Sequence, residues 1–334
     1  MEETLVISDS FNLEPNMELA EDLFNNQGYL ILKKGTILEN KIIDRLVELD
    51  IRNIVVLKDR ADSNSSSSHQ AKLFQETYQQ QTILVEEEIK GMLEGGQINA
   101  EQLFKISQDI IGNLKNHNDV FRYISQLGSN YSEDYIHGLN VALICHLFAV
   151  WLGFDEEKAQ ELVTAGLLHD IGKILPGGEE ANHTVLGTKF LAEHGASKDI
   201  QMGVLMHHEK EDGSGFPLKA TGSAIHYYAK IISIANHYDN VTTGGKTLQG
   251  KICPFDLIRT FENHRYGNFD IKYIDVFLRK IANYYVGESI RLTDGRVGKI
   301  IFINEHCLSK PIIQVGETII DLYSQKDLQI EEIV

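Results

Sequence analysis

Hydrophobic and polar positions follow three different rhythms along this chain, and the changes between them mark its organisation. Near the N-terminus, three short apolar runs are typical of strands: TLVI at 4–7, GYLIL at 28–32 and IVVL at 54–57. Between the last two runs, apolar residues recur at helical spacing: Ile42, Ile43, Leu46 and Leu49. Residues 1–59 are therefore predicted to form a small α+β domain.

The middle of the chain is predicted to be a helical bundle behind a linker. Residues 60–70, RADSNSSSSHQ, are polar and serine-rich, so we predict a flexible linker there. From 71 to 286, apolar residues recur every three or four positions, as in KLFQETYQQQTILVEEEIKGML. Asp155 has the residue type and position of a helix N-cap, and the helix that it opens is predicted to run through Leu168.

After residue 286 the apolar positions alternate with polar ones, as strands require. The segments concerned are SIRL, RVGKIIFIN, PIIQV and TIIDLY, and the first two are separated by the turn signal Asp294-Gly295. We predict a small β-barrel or meander over residues 287–334. The fold class is then mainly α, a helical bundle with a small N-terminal α+β domain and a small C-terminal β-rich domain.

Composition narrows the class of protein. With 43% hydrophobic and 24% charged residues, the 334-residue chain has the balance of a soluble globular protein. The apolar run Val141–Phe154 is too short to span a bilayer, and the first residues lack the features of a signal peptide, so no membrane span and a cytoplasmic location are expected. The three cysteines are far apart without a CxxC pair, which predicts neither disulfides nor a thiolate zinc site.

The net charge of −17 argues against a partner of long nucleic acid, because such binding needs a basic surface. A small anionic ligand is compatible with this charge if bound metal ions reverse the local sign. Of the 13 histidines, several lie beside acidic residues in the helical region, in a set that contains Glu133, His137, His169, Asp170, His183, His207 and His208. This set is the chemically informative part of the sequence.

The spacing within the set favours metal binding. Glu133 and His137 are four residues apart, so on a helix they project from one face toward a common ion. His169 and Asp170 end the apolar segment LVTAGLLHDIGK, where packing alone does not explain an ionisable pair; the carboxylate can serve one metal or bridge two. Mixed nitrogen and oxygen ligands suit iron, manganese, zinc or similar ions. His146 and His194, on amphipathic helices, are interpreted as packing or surface residues.

Metal ions held close together activate a water as hydroxide, neutralise phosphate oxygens and stabilise the leaving oxygen. Lys173 lies near the same helix end and adds a movable positive charge for a phosphate. Phosphodiester hydrolysis is therefore the predicted reaction, with His169, Asp170 and Lys173 as the catalytic residues.

Residues 118–277 resemble the HD-GYP family of cyclic-di-GMP phosphodiesterases, a branch of the HD-domain metal phosphohydrolases. The resemblance rests on EDYIHGLNVA at 133–142, LLHDIGK at 167–173, HTVLG at 183–187, HHEKEDGSGFP at 207–217 and AKIISIANHYDNVT at 229–242. It implies a helical HD-domain bundle and two or three divalent ions, iron or manganese. The metal ligands that it implies are Glu133, His137, His169, Asp170, His183, His207, His208 and Asn236.

The resemblance also implies residues that contact the substrate. Lys173 matches the lysine that contacts phosphate, and residues 212–217 match the loop for which the family is named, with phenylalanine in place of tyrosine. The implied substrate-binding set is Lys173, Asp212, Gly213, Gly215, Phe216, Pro217, Asp239 and Lys246. Gly213 and Gly215 have an alternative interpretation as turn formers.

Four departures from the family pattern concern metal and substrate affinity. Asn236 stands where the family has an aspartate ligand, so one metal position lacks a negative charge. Lys246 lies, in a different register, in the segment where the family has basic residues that grip the dinucleotide. Lys230 lies where the family usually has arginine, and a lysine does not reproduce an arginine. The segment between Asp170 and His183 is short and lacks most of the family's lid.

Three functions remain open at this point. The first is a phosphodiesterase that opens cyclic-di-GMP or a related cyclic dinucleotide. The second is a catalytically impaired sensor that binds the dinucleotide and signals through its N-terminal domain, whose expected task is regulation or contact within a homodimer. Hydrolysis of another phosphate ester by the HD domain is a further alternative.

Overall fold

The computed structural model describes the backbone of residues 4–8, 13, 17–24, 30–38, 40–48, 54–58, 63–114, 117, 119–124, 133–242, 253–325 and 327–334. The side chains at 4–8, 24, 30, 40, 41, 44, 48, 57, 58, 63–71, 133, 134 and 264–267 lie outside this description. The chain divides into two compact units, residues 1–73 and 74–334.

The first unit combines short strands with one helix. Its elements are β1 (Thr4–Ser8), β2 (Glu18–Leu19), β3 (Leu23–Phe24), β4 (Leu30–Leu32), α1 (Asn40–Glu48) and β5 (Ile54–Lys58). Strand β5 pairs antiparallel with β1 and β2, and β3 pairs with β4. Leu19, Leu46 and Val56 belong to one buried apolar core. The α+β character predicted for this region is confirmed.

Helix α2 (Ser63–Leu93) covers most of the predicted linker. The sequence predicted residues 60–70 to be flexible because serines offer nothing to bury, yet 63–70 are helical. Once a helix is nucleated, each added residue contributes one backbone hydrogen bond, so the amphipathic segment after residue 71 extends the helix into a polar run. The linker prediction is wrong for this part, and the domain boundaries around it stay a prediction.

The helices of the second unit follow the predicted bundle. After α2 they are α3 (Ala100–Gly112), α4 (Asp119–Ile124), α5 (Glu133–Leu152), α6 (Glu156–Leu168), α7 (His183–Glu193), α8 (Lys198–Met206), α9 (Tyr227–Thr242), α10 (Pro254–Asn268) and α11 (Ile271–Tyr284). The side chain of Asp155 accepts a hydrogen bond from the Lys158 amide 3.0 Å away, which confirms the predicted cap and the helix through Leu168.

Helix α5 lies at the centre of this bundle and packs against α6 and α9. Its residues from Leu139 to Ala149 are almost completely buried, so apolar side chains surround the whole helix. A Cβ atom at Gly138 would lie 2.6 Å from the carbonyl oxygen of Leu167, so glycine is what allows α5 and α6 to cross closely. This crossing brings His137 next to His169.

One helix in the described part of the chain is long and apolar enough to cross a membrane. The window Tyr135–Leu152 of α5 has a mean hydropathy of 1.6, and 61% of it is buried inside the protein. The core helix of a soluble protein has the same features. This window of 18 residues is longer than the apolar run at 141–154 from which no membrane span was predicted. The absence of a membrane span therefore stays a prediction.

Five antiparallel strands end the chain. They are β6 (Ser289–Leu292), β7 (Val297–Phe302), β8 (Ile312–Val315), β9 (Thr318–Asp321) and β10 (Ile330–Ile333), in the order β10-β6-β7-β8-β9. The predicted meander is thus confirmed for β6 to β9. The carboxylate of Glu262 in α10 accepts a hydrogen bond from the Leu308 amide at 2.6 Å, which ties this sheet to the bundle.

Candidate metal centre

Six ionisable side chains from the ends and faces of four helices converge at one place in the second unit. They are His137 in α5, His169 and Asp170 after α6, His183 at the start of α7, and His207 and His208 after α8. Burial is complete for His169 and His183, which are 0% exposed. The sequence predicted all six as metal ligands, and the fold brings these six together.

A close packing of backbone segments sets the position of two of them. A Cβ atom at Gly172 would lie 1.9 Å from the carbonyl oxygen of His183. Glycine therefore allows the short 3-10 helix Ile171–Ile174 to pack directly against the start of α7. This packing brings the carboxylate of Asp170 within 3.2 Å of His183 Nε2.

The first group of candidate ligands contains His137, His169 and Asp170. His137 Nε2 lies 3.2 Å from His169 Nε2 and 3.8 Å from Asp170 Oδ2. His169 Nε2 lies 3.4 Å from the same oxygen. Three ligand atoms at these separations can bind a common ion, since metal–nitrogen and metal–oxygen bonds are about 2.0–2.2 Å long.

The second group contains Asp170, His183, His207 and His208. The other carboxylate oxygen of Asp170 lies 3.2 Å from His183 Nε2 and 3.6 Å from His207 Nε2. Asp170 is thus common to both groups and presents a different oxygen to each. This arrangement fits a carboxylate that bridges two neighbouring metal ions.

Backbone hydrogen bonds select the tautomer that three imidazoles adopt when they are neutral. The Nδ1 atoms of His169, His183 and His207 lie 2.7–2.8 Å from the carbonyl oxygens three residues earlier in the chain. A carbonyl can only accept, so each Nδ1 donates, and each neutral ring keeps a lone pair on Nε2. The Nε2 atoms of His183 and His207 then face each other with their lone pairs at 3.4 Å.

Facing lone pairs repel each other unless a cation lies between them. Asp170 Oδ1 and His208 Nε2 are likewise buried without a hydrogen-bond partner among the described residues. Buried polar atoms without partners are costly, so the arrangement is accounted for by a bound cation rather than by hydrogen bonding within the protein. The residues present therefore fit divalent metal ions.

The pKa values support the same interpretation. Burial lowers the pKa of His207 to about 4, and burial together with the neighbouring His207 and His183 lowers the pKa of His208 to about 2. Both imidazoles are neutral at pH 7, the form that binds metal.

A hydrogen-bonded chain orients His137. Asp239 Oδ2 lies 2.7 Å from His137 Nδ1, and Asp239 Oδ1 accepts from Asn140 Nδ2 at 2.9 Å. The Tyr78 hydroxyl donates in turn to Asn140 Oδ1 at 2.7 Å. Burial works to lower the pKa of His137, but the bond to Asp239 raises it overall. A carboxylate on the far nitrogen of a metal-binding imidazole fixes its orientation.

This geometry changes the role predicted for Asp239. The sequence placed it among the substrate-binding residues, whereas the structure places it behind His137, 2% exposed. Asn140 and Tyr78 were not predicted at all. Asn140 lies three residues after His137 on the same helix face, which is a signal in the sequence, but the contribution of Tyr78 from α2 follows only from tertiary packing.

Lys173 lies beside both groups of ligands. Its Nζ is 2.7 Å from Asp170 Oδ2 and 3.4 Å from Glu180 Oε2. Glu180, in the short segment before α7, also places Oε1 3.8 Å from His208 Nε2. The sequence predicted the lysine but not the glutamate. At 32% exposed, the lysine side chain remains accessible to a ligand from solvent.

The segment after α8 packs against the metal ligands. The ring of Phe216 stacks on His208 with centroids 4.6 Å apart, so a packing role accounts for phenylalanine in place of tyrosine. The carboxylate of Glu209, which the sequence analysis did not single out, accepts from the Leu218 and Ala220 amides at 2.6 and 2.9 Å and so holds the end of this segment.

The glycines of this segment have backbone reasons to be glycine. Gly213 has φ +77°, and a Cβ at Gly215 would lie 2.4 Å from the carbonyl oxygen of His208. Their alternative interpretation as turn formers is therefore supported. Asp212 accepts from the Ser214 amide at 2.9 Å within the same turn. Substrate contact by Asp212, Gly213, Gly215, Phe216 and Pro217 stays a prediction.

The structure describes the side chain of only one of the remaining predicted site residues, Asn236. The side-chain oxygen of Asn236 accepts from Asn240 Nδ2 at 2.6 Å, and Asn236 lines the same cavity as His207 and His208. Its coordination of metal stays a prediction. The Glu133 side chain and Lys246 lie outside the described residues.

Three other positively charged or ionisable side chains have structural partners. Lys230 pairs with Glu211 at 2.9 Å and with Asp270 at 2.7 Å. His146 stacks on Phe104, and His194 stacks on Phe190, which confirms these two histidines as packing residues. Lys230, which stands where the family usually has arginine, is thus already paired with two carboxylates.

Comparisons with known proteins agree with this site. Residues 134–241 match the family model described as HD domain. One curated relative is a cyclic di-GMP phosphodiesterase of Pseudomonas aeruginosa, 24% identical over 237 residues, which are 66% of this chain and 57% of that protein. Ribonucleases Y of Oleidesulfovibrio alaskensis and Thermosipho melanesiensis are 36% and 37% identical over 96 and 99 residues, or 28% and 29% of this chain.

The chain spans little more than half of that phosphodiesterase and only 18% and 19% of the two ribonucleases. A solved structure of an HDG"Y"P protein from Bdellovibrio bacteriovorus aligns with 82% of this chain and 98% of that chain, with 16% identity and a TM-score of 0.47. The matched family segment contains all six converging side chains. The helical unit of this chain is therefore similar to the HD domain family over residues 134–241.

Proposed function

We propose that this chain is a metal-dependent phosphodiesterase that hydrolyses cyclic-di-GMP or a related cyclic dinucleotide. The observation that carries the proposal is Asp170, whose two oxygens face two separate groups of imidazoles. Two adjacent metal positions suit a phosphodiester, whose attacked phosphorus and leaving oxygen both need electrostatic stabilisation. The activity printed for the Pseudomonas relative supports the same substrate class.

Within this proposal the residues have distinct roles. Bound divalent ions, for which we propose iron or manganese, would supply Lewis acidity toward phosphate oxygens and activation of the attacking water. His137, His169, Asp170, His183, His207 and His208 would hold them. Asp239 keeps the lone pair of His137 on Nε2, the atom that faces His169. Lys173 exchanges its ion pair with Asp170 for a phosphate oxygen of the substrate.

The sensor alternative has less support. It rested on Asn236 and on the altered basic segment, but each ligand group has three or more members without Asn236. The ribonuclease relatives suggest RNA as another phosphodiester substrate, and the net charge of −17 opposes a long RNA because phosphate contacts require a basic surface. A small cyclic dinucleotide is compatible with both observations.

The proposal is tested by metal analysis of the protein purified under reducing conditions, followed by chromatographic product analysis with cyclic-di-GMP. We expect two or more divalent ions per chain, and linear dinucleotide or mononucleotide as product. Treatment with a chelator should abolish hydrolysis, and added manganese or ferrous iron should restore it. Tight binding of cyclic-di-GMP without any product would support the sensor, and activity in metal-free protein would contradict the mechanism.

Replacement of Asn236 by aspartate is expected to tighten metal binding. A carboxylate brings a full negative charge and two acceptor oxygens, whereas an amide offers one uncharged oxygen. Each ~1.4 kcal/mol gained corresponds to about tenfold in metal affinity. The measurement is a chelator titration of the native and Asn236→Asp proteins, with metal content and cleavage followed together. Unchanged or weaker retention of metal would place Asn236 outside the coordination shell.

A further inference from the structure

A cavity of about 380 Å³ lies next to the second group of metal ligands. Helices α9 and α10 form much of its wall, and His207 and His208 form the part nearest the candidate metal position. The residues that line the cavity include His208, Asn236, Asn240, Phe261, Asn268 and Phe269. Small-molecule sites are typically about 300–1,000 Å³, so this volume suits one nucleotide unit rather than a whole dinucleotide.

The apolar side of the cavity is built from aromatic rings. Phe261 and Phe269 have ring centroids 5.2 Å apart, and His237 packs against them at 5.1 and 5.5 Å. Phe261 is almost completely buried and backs Phe269, which is half-buried, so the ring of Phe269 is the accessible part of this wall. Aromatic rings bind nucleobases by stacking, because every base has a flat π-face.

The polar side of the cavity consists of amides. Asn240 Nδ2 donates to Asn236 Oδ1 at 2.6 Å, which leaves the Asn236 amide nitrogen and the Asn240 side-chain oxygen to face other partners. The Asn268 side chain makes no hydrogen bond to any residue that the structure describes, although it lines the cavity. An amide offers both donors and an acceptor, which matches the mixed edge of a purine base.

On the basis of the proposed function, we infer that this cavity is a subsite for one purine base of the cyclic dinucleotide. The base lies against the wall formed by Phe261 and Phe269, and its edge bonds the amides of Asn240 and Asn268. His208 belongs both to the cavity wall and to the second group of metal ligands. Binding of the base in the cavity therefore orients the phosphate at the ions. Recognition by stacking and amides also requires no basic surface, in accord with the acidic chain.

The test compares two variants, Asn240→Ala and Asn268→Ala, with a matched control. The control is Asn283→Ala, a half-buried asparagine in α11 that does not line the cavity and donates only to the Arg279 carbonyl. Each protein is assayed with cyclic-di-GMP and with bis(p-nitrophenyl) phosphate, a phosphodiester that has no base. Metal content is measured in parallel.

For the two cavity variants we expect KM for cyclic-di-GMP to rise on the order of tenfold, as loss of a buried hydrogen bond predicts. For Asn268→Ala, which removes no contact to a predicted metal ligand, cleavage of bis(p-nitrophenyl) phosphate and metal content should not change. The inference is overturned if both substrates are affected equally, or if neither KM changes.

Failure of the proposed function gives a different result. If the native protein does not cleave cyclic-di-GMP, the proposed function is wrong, and the subsite is then tested by calorimetric binding of GMP to the metal-loaded proteins. Weaker binding of GMP by Asn268→Ala than by Asn283→Ala would support the subsite. Equal binding, or no binding by the native protein, would refute it.

Discussion

Replacement of Asp170 by asparagine is expected to remove most bound metal and to lower phosphodiester hydrolysis by about 100-fold or more. The two carboxylate oxygens of Asp170 face different groups of imidazoles, so one substitution weakens both metal positions. An amide brings no charge and only one acceptor oxygen. Changes even in residues that support a metal ligand typically cost about 10- to 100-fold in affinity or activity, so loss of a shared ligand should cost more. Metal content by mass spectrometry and the rate of cleavage are the measurements.

The control for this variant is Asp155→Asn. Asp155 is also an aspartate that bonds a lysine three residues later at 2.7 Å, but it caps the opposite end of α6, 15 positions earlier in the chain. The control should keep its metal, its activity and its helix cap, because asparagine caps a helix about as well as aspartate does. The bridging role of Asp170 is wrong if Asp170→Asn retains its full metal content with unchanged affinity.

Replacement of Lys173 by methionine is expected to lower turnover by about 10- to 100-fold while metal content stays unchanged. The lysine ammonium contacts Asp170 at 2.7 Å without binding metal itself, so its removal takes away a positive charge from the phosphate but no ligand from the ions. Methionine keeps an unbranched side chain of similar length. The measurements are kcat and KM for cyclic-di-GMP, with metal content determined on the same samples.

Lys158→Met supplies the matched control, because Lys158 pairs with Asp155 at the same spacing and the same 2.7 Å distance on the exposed start of α6. We expect no change in either kinetic constant. A fall in metal content for Lys173→Met as large as that for Asp170→Asn would show that the lysine supports the metal centre rather than the substrate.

Local chemistry was sufficient to predict most of the secondary structure. The Asp155 cap and the helix through Leu168 follow from a side chain that bonds backbone amides of its own first turn. Strand β10 was missed because the register shifts between Ile330 and Glu332, which breaks the alternation on which strand prediction depends. Residues 63–70 were predicted to be a flexible linker from their composition alone. Composition does not show that an adjacent helix can extend into a polar segment.

Part of the candidate site could likewise be predicted from the sequence. Histidine beside aspartate at the end of an apolar helix, and a double histidine after another helix, are unusual enough in sequence to indicate metal ligands without coordinates. These inferences depend on residue type and spacing, which are properties of the chain itself. Asn236 was predicted as a ligand only from the resemblance to the HD-GYP family, which has an aspartate at that position.

Only the tertiary structure decided which segments far apart in the chain contact each other. The sequence alone predicted a helical metal-binding module between two small domains, because hydrophobic periodicity and ligand spacing are local. Asp239 lies behind His137 through a contact across 102 positions, Tyr78 joins it from α2, and Glu180 reaches both Lys173 and His208. The position of Asp170 between the two ligand groups likewise requires α6, α7 and α8 to meet. Such contacts arise from helix packing, whose geometry is set by the whole core and leaves no fixed spacing in the sequence.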